Sequence, residues 1–189
     1  LENQIGYKGD VYDYAVFADG PYASQNPYFK WLPFNLCQGE WIIIKTEKEV
    51  CDRVINNKTN VIPLGNCHYK LSSTYSWKSL DWIPREEESK ALCEAFESMF
   101  DVPYEIVEHR AALRPTVADR RPYLGAHPEH KNVYIFNGLG SKGVMLTPYF
   151  SEQLLDHITQ NTPLMDEVNI QRHLKKYRQF LEEERDKNH

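Results

Sequence analysis

The chain has 189 residues, 41% hydrophobic and 13% aromatic, which is enough for a sizeable core and too apolar for a disordered segment. Its formal charge of −5 is spread over interleaved acids and bases, which argues against a nucleic-acid or anionic-membrane surface. No apolar run approaches the roughly 18 residues of a membrane span, and no charged-then-apolar leader opens the sequence. The cysteines at 37, 51, 67 and 93 make no C-x-x-C pair, so reduced thiols in a cytoplasmic protein are expected.

In chain order, "YDYAVFADG" (12–20) reads as a strand entering a glycine turn. "GEWIIIKT" (39–46) is a strong strand, and 59–65 and 67–75 are two more, joined at Gly65-Asn66 as a hairpin. A helix is expected over 84–100: Pro84 opens it, Glu86, Glu87 and Glu88 suit its positive end, and Leu92, Ala95, Phe96 and Met99 share a face. Residues 104–113 return as a strand, and "NVYIF" (132–136) reads as a buried one. Glycines follow at 138, 140 and 143, and then a helical stripe runs to Ile158, with Pro148 tolerable only near its first turn. The tail from Ile170 has helical spacing at Leu174, Tyr177 and Leu181 amid dense charge, and reads as a solvated terminal helix. The pattern predicts a mixed α/β (α+β) fold with a mostly antiparallel sheet flanked by helices. The first strand fits poorly, because no strand-helix-strand unit precedes it.

Strand, glycine turn and helix at 132–158 put free helix-start N–H groups over a strand end, where an electron-rich oxygen could rest. A tight connection without a ligand explains the same residues, and the turn is read as neither a P-loop nor a dinucleotide fingerprint. Arg114 ends an apolar strand and precedes Pro115, so it needs an acid or a ligand, and composition alone favours a structural ion pair. Arg120 and Arg121 follow Asp119, expected to be their local partner. "HPEH" (127–130) with His109 fits no zinc spacing well, and no metal is expected. Cys67 and His68 are adjacent in a strand and would point to opposite faces, which rejects them as a nucleophile and base. Trp31, Trp41, Trp77 and Trp82 read as core and interface aromatics.

"YDYAVFADG", "LPFNLCQGEWIII", "YKLSSTYSW", "LRPTVADRRPYLGAHPEHKNVYIFNGLG" and "SKGVMLTP" follow one another in an order that resembles the C-terminal half of FAD-dependent oxidoreductases of the D-amino-acid oxidase and glycine oxidase type. The resemblance covers residues 12 to about 160, and 113–148 is its specific part. It implies that Gly138, Leu139, Gly140, Ser141, Lys142, Gly143, Val144 and Met145 lie against the flavin of FAD, with Asp19-Gly20 also near the cofactor. It places the carboxylate-binding arginine at Arg114. Two positions depart from it: Ser141 stands where a second arginine is expected, and Asn60 stands where a substrate-holding tyrosine is expected. It implies a remnant of an FAD-binding domain at 1–35, a substrate domain at 36–115, a flavin-contacting segment at 116–160 and a charged tail at 161–189.

The family's N-terminal dinucleotide-binding unit is not evident ahead of the first strand, so the chain is expected to be a fragment. Alone it should hold FAD weakly or not at all and be inactive. Its orphan strand should expose Tyr14, Val16 and Phe17 and promote self-association. Two readings of function follow. One is part of an enzyme that oxidises the C–N bond of an amino acid or related amine. The other is a non-catalytic module that binds a small molecule or partner and reuses the fold.

Overall fold

A computed structural model describes residues 4–187. In chain order the strands are β1 (Ile5–Tyr7), β2 (Asp10–Tyr12), β3 (Ala15–Phe17), β4 (Cys37–Thr46), β5 (Ile55–Asn56), β6 (Asn60–Gly65) and β7 (His68–Ser72). Helix α1 (Glu86–Glu97) leads to β8 (Tyr104–Arg114), β9 (Tyr123–Ala126) and β10 (Val133–Asn137), and then to helices α2 (Gly143–Gln160) and α3 (Leu174–Lys187). The chain divides into two units, one made of Cys37–Leu113 and the other of the chain through Leu36 together with the chain from Arg114.

In the unit formed by the chain ends, β3 runs parallel to β10, which pairs antiparallel with β9. Successive residues of β10 point to opposite faces, and both faces are covered. Val133 and Ile135 enter a cluster with Phe29, Trp31, Val117 and Tyr177, whereas Tyr134 enters another with Leu124, Phe150 and Leu154. Helix α2 supplies Phe150 and Leu154, which explains why "NVYIF" is apolar almost throughout.

Three sequence expectations are corrected in this unit. The first strand is not an orphan: Ala15 pairs with Val133 and Phe17 with Ile135, in a strand only three residues long. It does form a sheet edge, and Tyr14 and Val16 are exposed, but Phe17 packs into the first cluster. The tail is not a solvated helix. Ile170 is fully buried and Tyr177 lies 5.0 Å from the Trp31 ring, so α3 docks through one face while its charges stay outside. Pro148 lies inside α2, beyond its first turn, where it withholds the N–H that would bond the Val144 carbonyl. The Thr147 hydroxyl donates to the Gly143 carbonyl one residue earlier, at 2.6 Å.

The inserted unit is a five-stranded sheet in the order β5-β6-β7-β4-β8. Its β4–β7, β5–β6 and β6–β7 ladders are all antiparallel. Leu92, Cys93 and Phe96 of α1 bury against Ile42 and Ile44 of β4, Val61 of β6, and Tyr69 and Leu71 of β7. Burying Leu92 or Phe96 contributes about 2–3 kcal/mol each. Arg85 is extended and marks the start of α1, so the helix begins two residues later than Pro84 suggests. The hairpin turn also falls one residue later than expected: Asn66 and Cys67 both have positive φ, at 51° and 59°. That is the handedness a two-residue turn between twisted strands requires. Among the described residues, no helix is long and apolar enough to cross a membrane.

Candidate functional site

Parallel pairing brings the C-terminal ends of β3 and β10 to the same end of their sheet. In parallel sheets that is where ligands bind. Both strands run into glycine turns there, Asp19-Gly20 after β3 and Asn137-Gly138 after β10. Asn137, only 4% exposed, ties the two together. Its Nδ2 donates to Asp19 Oδ1 at 3.1 Å and to the Gly20 carbonyl at 3.0 Å, and its Oδ1 accepts the Gly138 N–H at 2.8 Å. The other Asp19 oxygen accepts from Asn26 Nδ2 at 2.9 Å. Sequence reasoning singles out neither Asn137 nor Asn26 as functional, and it sets Asp19 beside Gly20 near the cofactor only through the resemblance. The available signal is small: a polar residue immediately before each glycine, at the end of a buried strand.

The glycine turn is shaped by what lies beneath it. Gly138 has φ +74°, and a Cβ there would sit 3.1 Å from Val117 Cγ1 and 3.4 Å from the Tyr123 nitrogen. Gly140 has φ +56°, and its Cβ would meet Thr116 Cγ2 at 3.4 Å. Thr116 is fixed in turn: its N–H donates to the Arg114 carbonyl, its hydroxyl donates to the Asn35 carbonyl, and its own carbonyl accepts the Asn35 N–H. Gly138→Ala is therefore expected to cost about 2 kcal/mol through left-handed strain and contact with Val117. Urea denaturation of the variant checks this, and a loss below the measurement error would show that the turn yields freely.

Residues Gly140–Lys142 make a 3-10 turn leading into α2, and neither element has a side-chain cap or an acid in its first turn. The partial positive charge of that helix start is therefore not offset by an acid in its own first turn. Val144 and Met145, at the head of α2, are 97% and 69% exposed, unusual for side chains of this kind. Gly138, Gly140 and Gly143 do have the spacing G-x-G-x-x-G after a strand and before a helix, which corrects the sequence reading of this turn. A dinucleotide fingerprint also requires a following parallel strand. None follows α2 among the described residues, where the chain goes on to the 3-10 turn Ile170–His173 and α3.

Arg114 is the half-buried last residue of β8 and belongs to the same unit as the glycine turn. Asn60 lies in the inserted unit, where its Nδ2 donates to the Ser72 carbonyl at 3.0 Å beside the Thr59 hydroxyl. Gly20 has φ +58° and opens a 3-10 turn to Ser24.

Other candidates resolve into structural pairs. Asp119 is a local partner of the turn through the Arg121 backbone N–H, which donates to its carboxylate at 3.0 Å, but its ion pair is with Arg172 Nε at 3.2 Å and not with the Arg120 or Arg121 side chain. His109 Nε2 lies 2.9 Å from Oε2 of the buried Glu40. The His127 and His130 rings lie 4.8 Å apart, tilted by 37°. Trp77 and Trp82, read as core and interface aromatics, are 55% and 42% exposed.

Residues 2–156 match the family of FAD dependent oxidoreductases. The chain belongs to this family. Among its relatives, glycine oxidase of Pseudomonas aeruginosa is 25% identical over 161 residues, covering 82% of this chain and 44% of the relative. The bifunctional protein of tRNA 5-methylaminomethyl-2-thiouridine biosynthesis from Acinetobacter baylyi is 35% identical over 79 residues, covering 39% of this chain and 13% of the relative. The fold is that of solved family structures. Glycine oxidase of Geobacillus kaustophilus superposes with a TM-score of 0.67 at 20% identity, over 84% of this chain and 45% of that one. Iminodiacetate oxidase of a Chelativorans species gives 0.70 at 20% identity, over 83% and 46%. The chain thus spans less than half the length of these relatives.

Proposed function

We propose that the chain supplies the flavin-contacting turn and the substrate sheet of an FAD-dependent enzyme that oxidises the C–N bond of an amino acid or related amine. The observation that carries this reading is the turn from Gly138 to Met145. Its glycines leave no Cβ above Thr116 and Val117, its helix start is uncapped, and its first helical side chains are exposed. Such a surface suits a flat group with an electron-rich edge, which the helix start stabilises most when that edge gains negative charge. Residues 138–145 would lie along the flavin, and Gly20, held by Asn137, would border it. When bound, FAD supplies the hydride acceptor, and the protein's part is to bind, orient and exclude water. Because the chain spans 44% of its glycine oxidase relative, contacts to the nucleotide end of FAD are assigned to the remainder of a longer protein.

Arg114 is assigned to the substrate carboxylate, and Asn60 is assigned to substrate binding. In the FAD-loaded full protein, Arg114→Lys keeps the charge and loses the planar fork. Turnover efficiency is expected to fall roughly 30- to 150-fold, equivalent to about 2–3 kcal/mol, with the flavin spectrum unchanged. A lowered melting temperature with normal kinetics in the folded fraction would make Arg114 a structural residue instead. A protein that binds FAD and oxidises no amine would leave the non-catalytic binding module as the reading.

A further inference from the structure

The two faces of the inserted sheet differ in chemistry. The face under α1 is apolar, whereas the other carries Trp41 of β4, Lys70 and Ser72 of β7, and Asn60 and Ile62 of β6, as the two-residue period dictates. Trp41 stands opposite Ser72, and Ser72 stands opposite Asn60, so the indole lies in the same cross-strand row as the residue assigned to the substrate. Lys70 is one step further along the face, opposite Ile43 and Ile62.

The nearby cations fall into two groups. Lys45 pairs with Glu105, and Arg110 pairs with Glu108. Among the described residues, Lys70 has no carboxylate within ion-pair distance. Its ammonium instead lies 4.2 Å from the centre of the Trp41 ring, and the Arg110 guanidinium lies 5.7 Å from the same centre. Lys70 is half-buried as a residue, and the indole holds its ammonium in place but leaves the charge unneutralised.

We propose that Lys70, held on Trp41 and flanked by Arg110, is a specificity-determining subsite for an anionic group on the substrate side chain, so that the preferred amine is an acidic amino acid. The identity of the ligand as a substrate rests on the oxidoreductase reading above, whereas the anion subsite itself does not. A purely structural lysine would need only its aliphatic stem over the indole, and methionine can supply that stem.

The test is a titration of the chain with racemic glutamate and, separately, racemic glutamine at constant ionic strength, following the Trp41 indole N–H by NMR. Glutamate should give a saturable shift and bind about fivefold more tightly than glutamine, the scale of one partly exposed ion pair. Lys70→Met, with Lys70→Gln as a second variant, should abolish that preference and leave the ligand-free spectrum nearly unchanged. Equal binding of the two ligands, or a preference that survives both variants, overturns the proposal. In the FAD-loaded full protein, oxidation of neutral amino acids without preference for glutamate overturns the subsite and leaves the oxidoreductase reading intact. Selective glutamate binding without any amine oxidation supports the subsite and overturns that reading.

Discussion

Replacing Asn137 by alanine is expected to lower the stability of the unit formed by the chain ends by about 4 kcal/mol and its melting temperature by about 10 °C. The side chain makes three bonds from a buried position, one to a carboxylate, one to a carbonyl and one from the backbone N–H that begins the glycine turn. A bond to a charged group contributes about 1.5–3 kcal/mol, a neutral one about 1, and a buried donor left unpaired costs about 1–3 more. Asn137→Asp should be at least as damaging, because it keeps the shape, loses the donor and sets a second carboxylate against Asp19. Thermal and urea denaturation measure the loss. Amide exchange at Gly138 and Gly20 locates it, since both turns should loosen together. An alanine variant within about 1 kcal/mol of the parent would mean that the two turns hold their shapes independently, and Asn137 would lose its role in positioning the proposed flavin surface.

That network also shows where sequence reasoning stops. Local chemistry was legible: β4 from its β-branched run, α1 from its acidic first turn and apolar stripe, and the turn after β10 from its glycines. Each signal lies within a dozen or so residues and reports a local preference. Asn137 and Asp19, in contrast, meet across 118 residues. An asparagine before a glycine reads as an ordinary turn former unless the parallel pairing of β3 with β10 is known. The same limit hid the ion-pair partner of Asp119, which is Arg172 in the tail, whereas the adjacent Arg121 meets that carboxylate only through its backbone N–H. It also hid the docking of α3, because a helix with high overall charge can still bury Tyr177 through one narrow face. The Trp41 site is legible only in part, since strand alternation puts Lys70 away from the core but does not say which ring it meets.

Acidification is expected to weaken the same unit through His127, with about 2 kcal/mol lost between pH 7 and pH 5. The imidazole is 6% exposed and enclosed by Tyr28, Phe29, His130 and Tyr177, with ring centres 4.8–5.9 Å away. Its Nδ1 accepts the N–H groups of Glu129 and His130, each at 3.2 Å, which fixes the neutral tautomer with the proton on Nε2. Burial, reinforced by His130 and opposed by Glu129, pushes its pKa from 6.5 down to about 4. Between those values the unfolded chain binds a proton that the folded chain refuses, so stability falls as pH falls through that window. At about 1.4 kcal/mol per pH unit the whole window is worth about 3 kcal/mol, and most of it is spent before pH 5. His173 contributes in the same direction, because burial, followed by Arg172, lowers its pKa as well. His127→Asn isolates the first histidine: the amide oxygen can stand in for Nδ1 as an acceptor, while the titrating ring is gone. The variant should be less stable than the parent at pH 7, through lost ring packing, and should lose about 2 kcal/mol less between pH 7 and pH 5. Urea denaturation of both proteins at pH 7, 6 and 5 gives the two slopes. Parallel slopes would assign the proton to another group and remove His127 as the acid-sensitive contact beneath α3.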